Sequence, residues 1–336
     1  MGEGAYKITV EGREGAFPCA AGDTLLGAAL RAGLGLAHEC ASGGCGSCKV
    51  DLKAGDVDLA YPASPGLKPR DFDKGKRLAC MTRPRSDLTI RFLEAEEARP
   101  VIRPRRQPAR LLSRQAVTHD IFELRFALEG DDSFLPGQFA LLDVPGLPAG
   151  RAYSMANLPG QCEWHFHVRR VPGGRASGFL LDTLAPGDAL TLDGPYGTAF
   201  YRPGLERDVA VVAGGSGLAP MLSVARAALR DPGWRGRRLH FHYGARTGRD
   251  MIAPELLGFD DPRLVFHPVL SDVGEDEAWS GPRGLVHDHL RDSLGDDAST
   301  REFYLAGPPP MVEAVRRVLL LEQSIPVDQV HYDRFF

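Results

Sequence analysis

The sequence predicts a multidomain α+β protein made of three consecutive units. Its 336 residues are more than one hydrophobic core usually organises. Proline–glycine turns interrupt strand-like runs in the middle of the chain, a pattern typical of a small antiparallel barrel. After residue 205 strand-like and helical runs alternate, which indicates an α/β unit with a parallel sheet. We expect units over residues 1–97, 106–204 and 205–336, with a charged, proline-containing linker over 98–105.

The amino-terminal unit begins with a predicted hairpin followed by a helix. Residues 7–11 alternate as a strand, Gly12 makes the turn, and residues 15–19 form the partner strand. Asp23 is predicted to cap a short helix that ends near Gly33 and carries apolar residues on one side. Four cysteines follow this helix.

Those cysteines have the spacing of a plant-type iron–sulfur site. Cys40, Cys45, Cys48 and the distant Cys80 form the pattern C-x4-C-x2-C…C. Three of them lie in one glycine-containing loop, where small residues let backbone N–H groups approach sulfur. Zinc is the alternative, but four-cysteine zinc sites usually use two C-x2-C pairs, and Cys80 has no such neighbour. The spacing therefore predicts a 2Fe–2S cluster.

The middle unit carries two motifs that suit a flavin nucleotide. Arg151, Tyr153 and Ser154 enter a predicted strand, and a glycine-rich turn from Gly174 to Ser177 opens a predicted helix. The N–H groups at such a turn can bind a pyrophosphate. An aromatic ring beside a hydroxyl can stack on a flavin and hydrogen-bond its reactive nitrogen.

The third unit carries a glycine turn between its first strand and a helix. This turn contains Gly214, Gly215, Ser216 and Gly217, and Pro220 occupies the helix start. Its N–H groups can face a diphosphate. The turn departs from the general dinucleotide fingerprint, because Pro220 replaces the third glycine and no acidic residue follows about 20 positions on.

Together these motifs resemble the ferredoxin–NADP reductase superfamily. The order of the units, and the residues over 39–46, 151–157 and 305–311, resemble the reductase components of bacterial multicomponent, carbazole-dioxygenase-like oxygenases. The resemblance covers essentially the whole chain. It implies an N-terminal β-grasp ferredoxin domain, an antiparallel β-barrel FAD domain and a Rossmann-like NAD domain.

The resemblance also implies roles for the residues of the flavin site. Arg151 would hold the FAD pyrophosphate, Tyr153 would pack on the isoalloxazine, and Ser154 would hydrogen-bond flavin N5. Either Phe335 or Phe336, at the end of the chain, would cover the flavin face, with simple core packing as the alternative. Ser154, Tyr153 and Phe336 are thus the expected catalytic residues. The other implied FAD contacts are His167 (or else a structural histidine), Val168, Gly174 and Ser177.

For the nicotinamide cofactor the resemblance implies contacts along the edge of the parallel sheet. Arg246 would lie near the adenosine ribose, where it could pair with the 2′-phosphate of NADPH. No dense cationic cluster surrounds Arg246, so NADH is the expected cofactor. The other implied contacts are Gly214, Gly215, Ser216, Gly217, Pro220, Gly307 and Pro308.

The expected function is electron transfer from NADH through FAD and the cluster to a Rieske-type ring-hydroxylating oxygenase or its ferredoxin. Hydride carries two electrons while a cluster accepts one, so a flavin must lie between them. Plant-type clusters, near about −400 mV, reduce Rieske centres downhill. The alternatives are the reductase of a di-iron monooxygenase or of a sugar-deoxygenating dehydratase, a redox-sensing module, and a flavin reductase that releases its flavin.

Composition narrows the cellular setting. A net charge of −4 gives no support for nucleic-acid binding, and no apolar run approaches the roughly 20 residues that span a bilayer. The first residues lack the apolar core of a signal peptide. We therefore expect a cytoplasmic protein, monomeric in solution, in which the remaining Cys19 and Cys162 are small buried apolar residues.

Overall fold

Three large β-sheets, one in each unit, organise the part of the chain that the computed structural model describes. That part comprises residues 4–257, 260–274, 279–295 and 297–336, so residues 1–3, used in the signal-peptide argument, lie outside it. Within these ranges no helix combines the length and apolarity that crossing a lipid bilayer requires.

The first unit is a mixed five-stranded sheet with a helix packed against it. The sheet order is β2-β1-β7-β3-β5, in which β1 and β2 form the predicted hairpin and β1 lies parallel to β7. This is the β-grasp arrangement that was expected. Its elements are β1 (Ala5–Val10), β2 (Ala16–Ala20), α1 (Leu25–Arg31), β3 (Lys49–Ala54), β4 (Val57–Leu59), α2 (Pro69–Asp73), β5 (Lys76–Leu78), β6 (Thr82–Pro84) and β7 (Leu88–Arg91).

Helix α1 is capped by Thr24, and the prediction that Asp23 caps it was wrong. The Thr24 hydroxyl accepts a hydrogen bond from the N–H of Gly27 at 3.1 Å. The Asp23 carboxylate instead forms an ion pair with Arg31 at the other end of the helix. Both side chains can cap a helix, and the ion pair determines which of them is available.

The second unit is a nearly closed antiparallel barrel of six strands, in the order β11-β10-β13-β8-β9-β12. An isolated bridge from Met155 to Phe166 brings the two edge strands together. Residues 99–104 connect this barrel to a short helical turn that ends at Ala98. The elements are β8 (Arg105–Ala116), β9 (Ile121–Leu128), β10 (Phe139–Leu142), β11 (Arg151–Ser154), β12 (Glu163–Arg169), α3 (Arg175–Gly178) and β13 (Ala189–Tyr196).

The third unit is a parallel five-stranded sheet, in the order β16-β15-β14-β17-β18. The central strands β14 and β17 are buried almost throughout and apolar over 209–213 and 303–306, as expected for a parallel sheet covered on both faces. Its elements are β14 (Asp208–Gly214), α4 (Leu218–Arg230), β15 (Leu239–Ala245), β16 (Leu264–Leu270), α5 (Val286–Ser293), β17 (Arg301–Gly307), α6 (Pro309–Arg317) and β18 (Val330–Arg334).

A buried ion pair joins the first unit to the barrel. Arg31 Nη1 on α1 lies 2.9 Å from Asp193 Oδ1 on β13, and Arg31 Nη2 also reaches Asp23. Burial raises the pKa of Asp193, and the Arg31 guanidinium opposes that rise. Removing Arg31 would therefore leave a buried carboxylate without its cation.

We predict that Arg31→Met lowers the free energy of unfolding by about 3–5 kcal/mol, the usual cost of breaking a buried pair. A carboxyl whose pKa is raised in the folded protein binds its proton more tightly there than when unfolded. The cost should therefore be smaller at pH 5 than at pH 8. Urea unfolding followed by circular dichroism at both pH values measures it.

The matched control is Arg85→Met, which removes the cation of the exposed Arg85–Asp58 pair within the same unit. Exposed pairs contribute about 0–1 kcal/mol, so this variant should unfold almost as the parent does. An equal loss in both variants would contradict the role given to burial at Asp193.

Candidate functional site

The four cysteines of the predicted cluster site converge in the structure. Cys40 and Cys45 sulfurs lie 3.3 Å apart, and Cys48 and Cys80 sulfurs also lie 3.3 Å apart. Three of these residues come from the loop between α1 and β3, whereas Cys80 lies in a helical turn after β5. Four thiols, with no histidine or carboxylate among them, fit an iron–sulfur cluster of the plant type.

Backbone N–H groups of the same loop point at these sulfurs. The amides of Ser42 and Cys45 lie 3.5 and 3.3 Å from Cys40 Sγ, and the amide of Ser47 lies 3.5 Å from Cys45 Sγ. A hydrogen bond between the two thiols lowers the pKa of Cys40 to about 6 and raises the pKa of Cys45 above its usual range. The amides favour negative charge on the sulfurs that accept from them, as a cluster requires.

The loop needs glycine at Gly46. Its φ is +82°, and a Cβ there would lie 2.5 Å from the carbonyl oxygen of Gly66. The close approach of residues 43–46 to residue 66 therefore fixes the shape of the loop.

The two cysteines outside the pattern differ from each other. Cys19 is fully buried, and burial together with the charge of Asp23 raises the pKa of its thiol to about 12. Cys162 is exposed, so the expectation that it is a buried apolar residue was wrong. Cys162 lies in a turn with φ of +55°, and its N–H donates to Asp132. Turn geometry, which the apolar character of a thiol does not reveal, keeps it at the surface.

The predicted flavin residues Arg151, Tyr153 and Ser154 form strand β11 at the edge of the barrel. Burial raises the pKa of Tyr153 to about 12, with Arg151 opposing. Arg151 Nη2 donates to the hydroxyl of Tyr61 at 2.5 Å, and its guanidinium lies 5.2 Å from the centre of that ring. Tyr61 belongs to the first unit, so a contact between units is built into this site. No sequence motif marked Tyr61.

The glycine-rich turn before α3 has the shape that a phosphate site needs. A Cβ at Gly174 would lie 2.7 Å from the hydroxyl oxygen of Ser177, so the turn closes only around glycine. The Ser177 hydroxyl accepts the N–H of Val171 at 3.1 Å. A cradle of this kind fits a pyrophosphate, and the contacts of both residues with FAD stay predictions.

His167 and Val168 lie on opposite faces of strand β12. Val168 packs in the barrel core, so its backbone alone is available to a flavin. His167 is buried, with Nε2 at 3.7 Å from Glu123 Oε2. Burial would raise the pKa of Glu123, but hydrogen bonds from His167 and Arg125 lower it to about 2. This ion pair gives His167 a structural contact beside the cofactor role predicted for it.

The glycine turn of the third unit packs directly on the end of strand β17. A Cβ at Gly217 would lie 2.1 Å from the carbonyl oxygen of Ala306, and one at Gly214 would lie 2.5 Å from Met311 Sδ. Gly215 and Ser216 lie in a short helical turn, and Pro220 is the third residue of α4. These contacts leave only backbone at the turn, which suits the approach of a diphosphate.

The carboxyl ends of β14, β15 and β17 share one edge of the sheet, where open α/β sheets bind their ligands. Gly307 ends β17 with φ of +149°, and Pro308 precedes α6. The predicted nicotinamide residues thus lie together at this edge. Their contacts with a dinucleotide stay predictions.

Arg246 follows β15 at the same edge and is held by carboxylates. Its guanidinium lies 2.9 Å from Asp250 Oδ1 and 3.9 Å from Asp120 Oδ2 on the barrel. A 2′-phosphate would have to approach against both negative charges. The dinucleotide fingerprint places its acidic residue about 20 positions after the glycine turn, so it does not point to Asp120 or Asp250, although Asp250 follows Arg246 by four residues.

The end of the chain contacts the cluster loop. Arg334, the last residue of β18, binds Glu39 with Nε–Oε1 and Nη2–Oε2 distances of 2.6 Å each. A Cβ at Gly44 would lie 2.5 Å from the Cβ of Phe336. Phe335 packs against the core of the third unit. The structure thus places Phe336 beside the cluster loop, and the stacking of either ring on a flavin stays a prediction.

Asp333 is buried next to this contact. Burial raises the pKa of its carboxyl, and the charges of Glu39 and Cys45 raise it further, while Arg334 opposes them. Asp333 thus lies close enough to Cys45, a predicted cluster ligand, for the two groups to interact electrostatically. The end of the parallel sheet and the cysteine loop therefore lie side by side.

Models of three domain families match the chain in the expected order. They are the 2Fe-2S iron-sulfur cluster binding domain over residues 8–85, the oxidoreductase FAD-binding domain over 108–201 and the oxidoreductase NAD-binding domain over 211–317.

Relatives resemble the chain over nearly its whole length. Ferredoxin--NAD(P)(+) reductase CarAd of Metapseudomonas resinovorans is 40% identical over 98% of this chain and 100% of its own. The ferredoxin--NAD(+) reductase component of the alkene monooxygenase system of Xanthobacter autotrophicus is 40% identical over 95% of this chain and 97% of its own.

Two solved structures resemble the chain over nearly its whole length. The ferredoxin reductase in carbazole 1,9a-dioxygenase superposes with a TM-score of 0.92 at 36% identity, covering 99% of this chain and 98% of its own. The Amycolatopsis cytochrome P450 reductase GcoB superposes with a TM-score of 0.82 at 31% identity, covering 98% of each chain.

The cysteine geometry leads to a prediction about metal content. Cys80→Ser should abolish the iron content and the iron–sulfur absorption bands of the purified protein and leave only the flavin bands, because the fourth thiolate is lost. Cys162→Ser, which alters an exposed thiol outside the site, should keep both. Elemental analysis and visible spectra measure the outcome, and zinc in place of iron in the parent protein would contradict the assignment.

Proposed function

This chain belongs to the family of ferredoxin–NAD(P)+ reductases that serve multicomponent oxygenases, and on that premise we propose its electron path. Electrons pass from NADH through FAD and a 2Fe–2S cluster to an oxygenase or to its ferredoxin. The observation that carries this proposal is that contacts between the units bring the three predicted sites side by side. Contacts of 2.6 Å or less tie the cysteine loop to the last strand and the first unit to Arg151.

FAD, when bound, would accept hydride from NADH and release electrons singly to the cluster. The chain's own residues would bind and orient these groups. Arg151 and the turn from Gly174 to Ser177 would hold phosphates, and Tyr61 would orient the Arg151 guanidinium. The backbone at Gly217 and Gly307 would lie beside the dinucleotide, where the close packing of the turn on Ala306 and Gly214 leaves no room for a side chain at either glycine.

The proposed acceptor is a Rieske-type ring-hydroxylating oxygenase or an intermediate ferredoxin. The carbazole 1,9a-dioxygenase reductase, with its TM-score of 0.92, supports this choice. A monooxygenase is the second candidate, because the alkene monooxygenase reductase component is as similar in sequence, at 40% identity. We propose further that the chain acts as a monomer in the cytoplasm, where thiols stay reduced.

The first test is an anaerobic titration of the purified protein with NADH. Overlapping flavin and iron–sulfur absorption bands should bleach together at near-stoichiometric NADH, because the chain is proposed to hold both groups. Ferricyanide reduction should then proceed at a steady rate. Flavin bleaching without cluster bleaching would contradict the electron path, and the absence of turnover would favour the redox-sensing alternative.

We predict that kcat/KM for NADH exceeds that for NADPH by about tenfold or more, because Asp250 and Asp120 flank Arg246. Asp250→Ser should narrow this ratio by about tenfold, equivalent to about 1.4 kcal/mol. The rate of ferricyanide reduction, with NADH or NADPH as the electron donor, gives kcat/KM for each cofactor. Asp250→Glu keeps the charge and should keep the preference; equal ratios in the parent and Asp250→Ser would show that this carboxylate does not select the cofactor.

A further inference from the structure

A groove of about 520 Å³ opens beside the cluster loop on the surface of the first unit. One of its walls is Ser47, an exposed residue whose N–H lies 3.5 Å from Cys45 Sγ. The part of the loop at Gly44 is covered by Phe336, whereas the part at Ser47 faces the groove. The groove is therefore where another molecule can approach a cluster ligand from outside the chain.

The groove is partly apolar. Its lining includes Leu36, which is buried, and Phe92, which is half-buried. Leu93 lies on its rim with 93% of its surface exposed. An exposed apolar side chain is more informative beside other apolar groups than alone. Here the exposed Leu93 lines the same groove as the half-buried Phe92 and the buried Leu36.

The charges around the groove are mainly positive. Lys49, Lys76 and Arg91 line it, against one carboxylate, Asp51. Asp51 is shared: its oxygens lie 2.9 Å from Arg91 and 3.7 Å from Lys76. Asp71 contacts Lys49, and Glu11 contacts Arg91. Two further cations offset the charge of these carboxylates: Lys53 lies near Asp51, and Lys68 lies near Asp71. The groove thus carries positive charge although the chain has a net charge of −4.

We infer that this groove is the docking site of the electron-accepting protein, and that the acceptor presents acidic side chains around an apolar contact. The inference rests on the proposed function, since only a reductase needs such a partner. Positive charge on the groove and negative charge on the acceptor speed encounter and set orientation, while Leu93 on the rim supplies apolar contact area. Docking there places the acceptor against the loop segment that hydrogen-bonds Cys45.

The apolar part of the inference is tested with Leu93→Glu. The probe is a purified acidic Rieske-type ferredoxin, reduced by NADH through the full-length holoprotein. We expect kcat/KM for this probe to fall about tenfold or more, because the substitution places a negative charge on the apolar rim that faces the acidic acceptor. The matched control, Leu321→Glu, alters a leucine that is 76% exposed on the third unit and should leave kcat/KM unchanged.

The charged part is tested with Lys76→Glu, with Arg317→Glu on α6 as its control. Lys76→Glu should lower kcat/KM for the acidic Rieske ferredoxin and raise it for cytochrome c, a basic protein, and added salt should weaken both effects. The Arg317 side chain is 75% exposed and lies in another unit, so Arg317→Glu should change neither. Opposite changes in kcat/KM for the two probes support the groove as the docking site of an acidic acceptor. Changes of the same sign overturn that assignment.

Small acceptors separate this inference from the function on which it rests. Ferricyanide is a small acceptor that needs no docking surface. The Leu93→Glu and Lys76→Glu variants should therefore transfer electrons to ferricyanide at the rate of the parent protein. Parental kcat/KM values with the Rieske ferredoxin in both variants would overturn the docking site and leave the electron path intact. Loss of NADH-driven bleaching in the parent protein would instead overturn the proposed function.

Discussion

The two-point ion pair between Glu39 and Arg334 joins the cysteine loop of the first unit to the last strand of the third, and the arrangement of the candidate site depends on it. Glu39 immediately precedes the first cluster cysteine, and Arg334 ends the edge strand of the parallel sheet. A bidentate pair restricts rotation as well as distance. It therefore fixes the cysteine loop relative to the sheet edge, and Phe336 packs against the same loop. Without this contact the dinucleotide edge and the cysteines would be independent sites.

The barrel is attached to the first unit by contacts of a different kind. The Arg31–Asp193 pair is buried and orients helix α1 on the barrel, whereas the Tyr61–Arg151 contact reaches into the predicted flavin site. The barrel contributes Arg151 and the third unit contributes Arg334. Each of these arginines contacts the first unit close to a predicted cofactor position. The apolar core of the first unit also extends onto the barrel, where it includes Phe139, Ala149 and Tyr196.

Local patterns in the sequence predicted most of the fold and little of the contact between units. The hairpin, the barrel and the parallel sheet follow from strand and turn signals, and the four cysteines from their spacing. The cap of α1 was wrong, because Asp23 and Thr24 are equal candidates until Arg31 is placed. The Glu39–Arg334 contact joins residues 295 positions apart. No periodicity encodes such a pair, since it depends on the relative placement of folded units.

The short connection between the first unit and the barrel has a kinetic consequence. Residues 99–104 tether the two units, and short tethers produce effective concentrations of the order of millimolar. The interface inside the chain therefore needs little intrinsic affinity to stay populated. Internal transfer becomes a first-order event that dilution does not slow. Delivery to a separate acceptor remains second-order, so the abundance of the acceptor, and not that of the reductase's own domains, governs the flux.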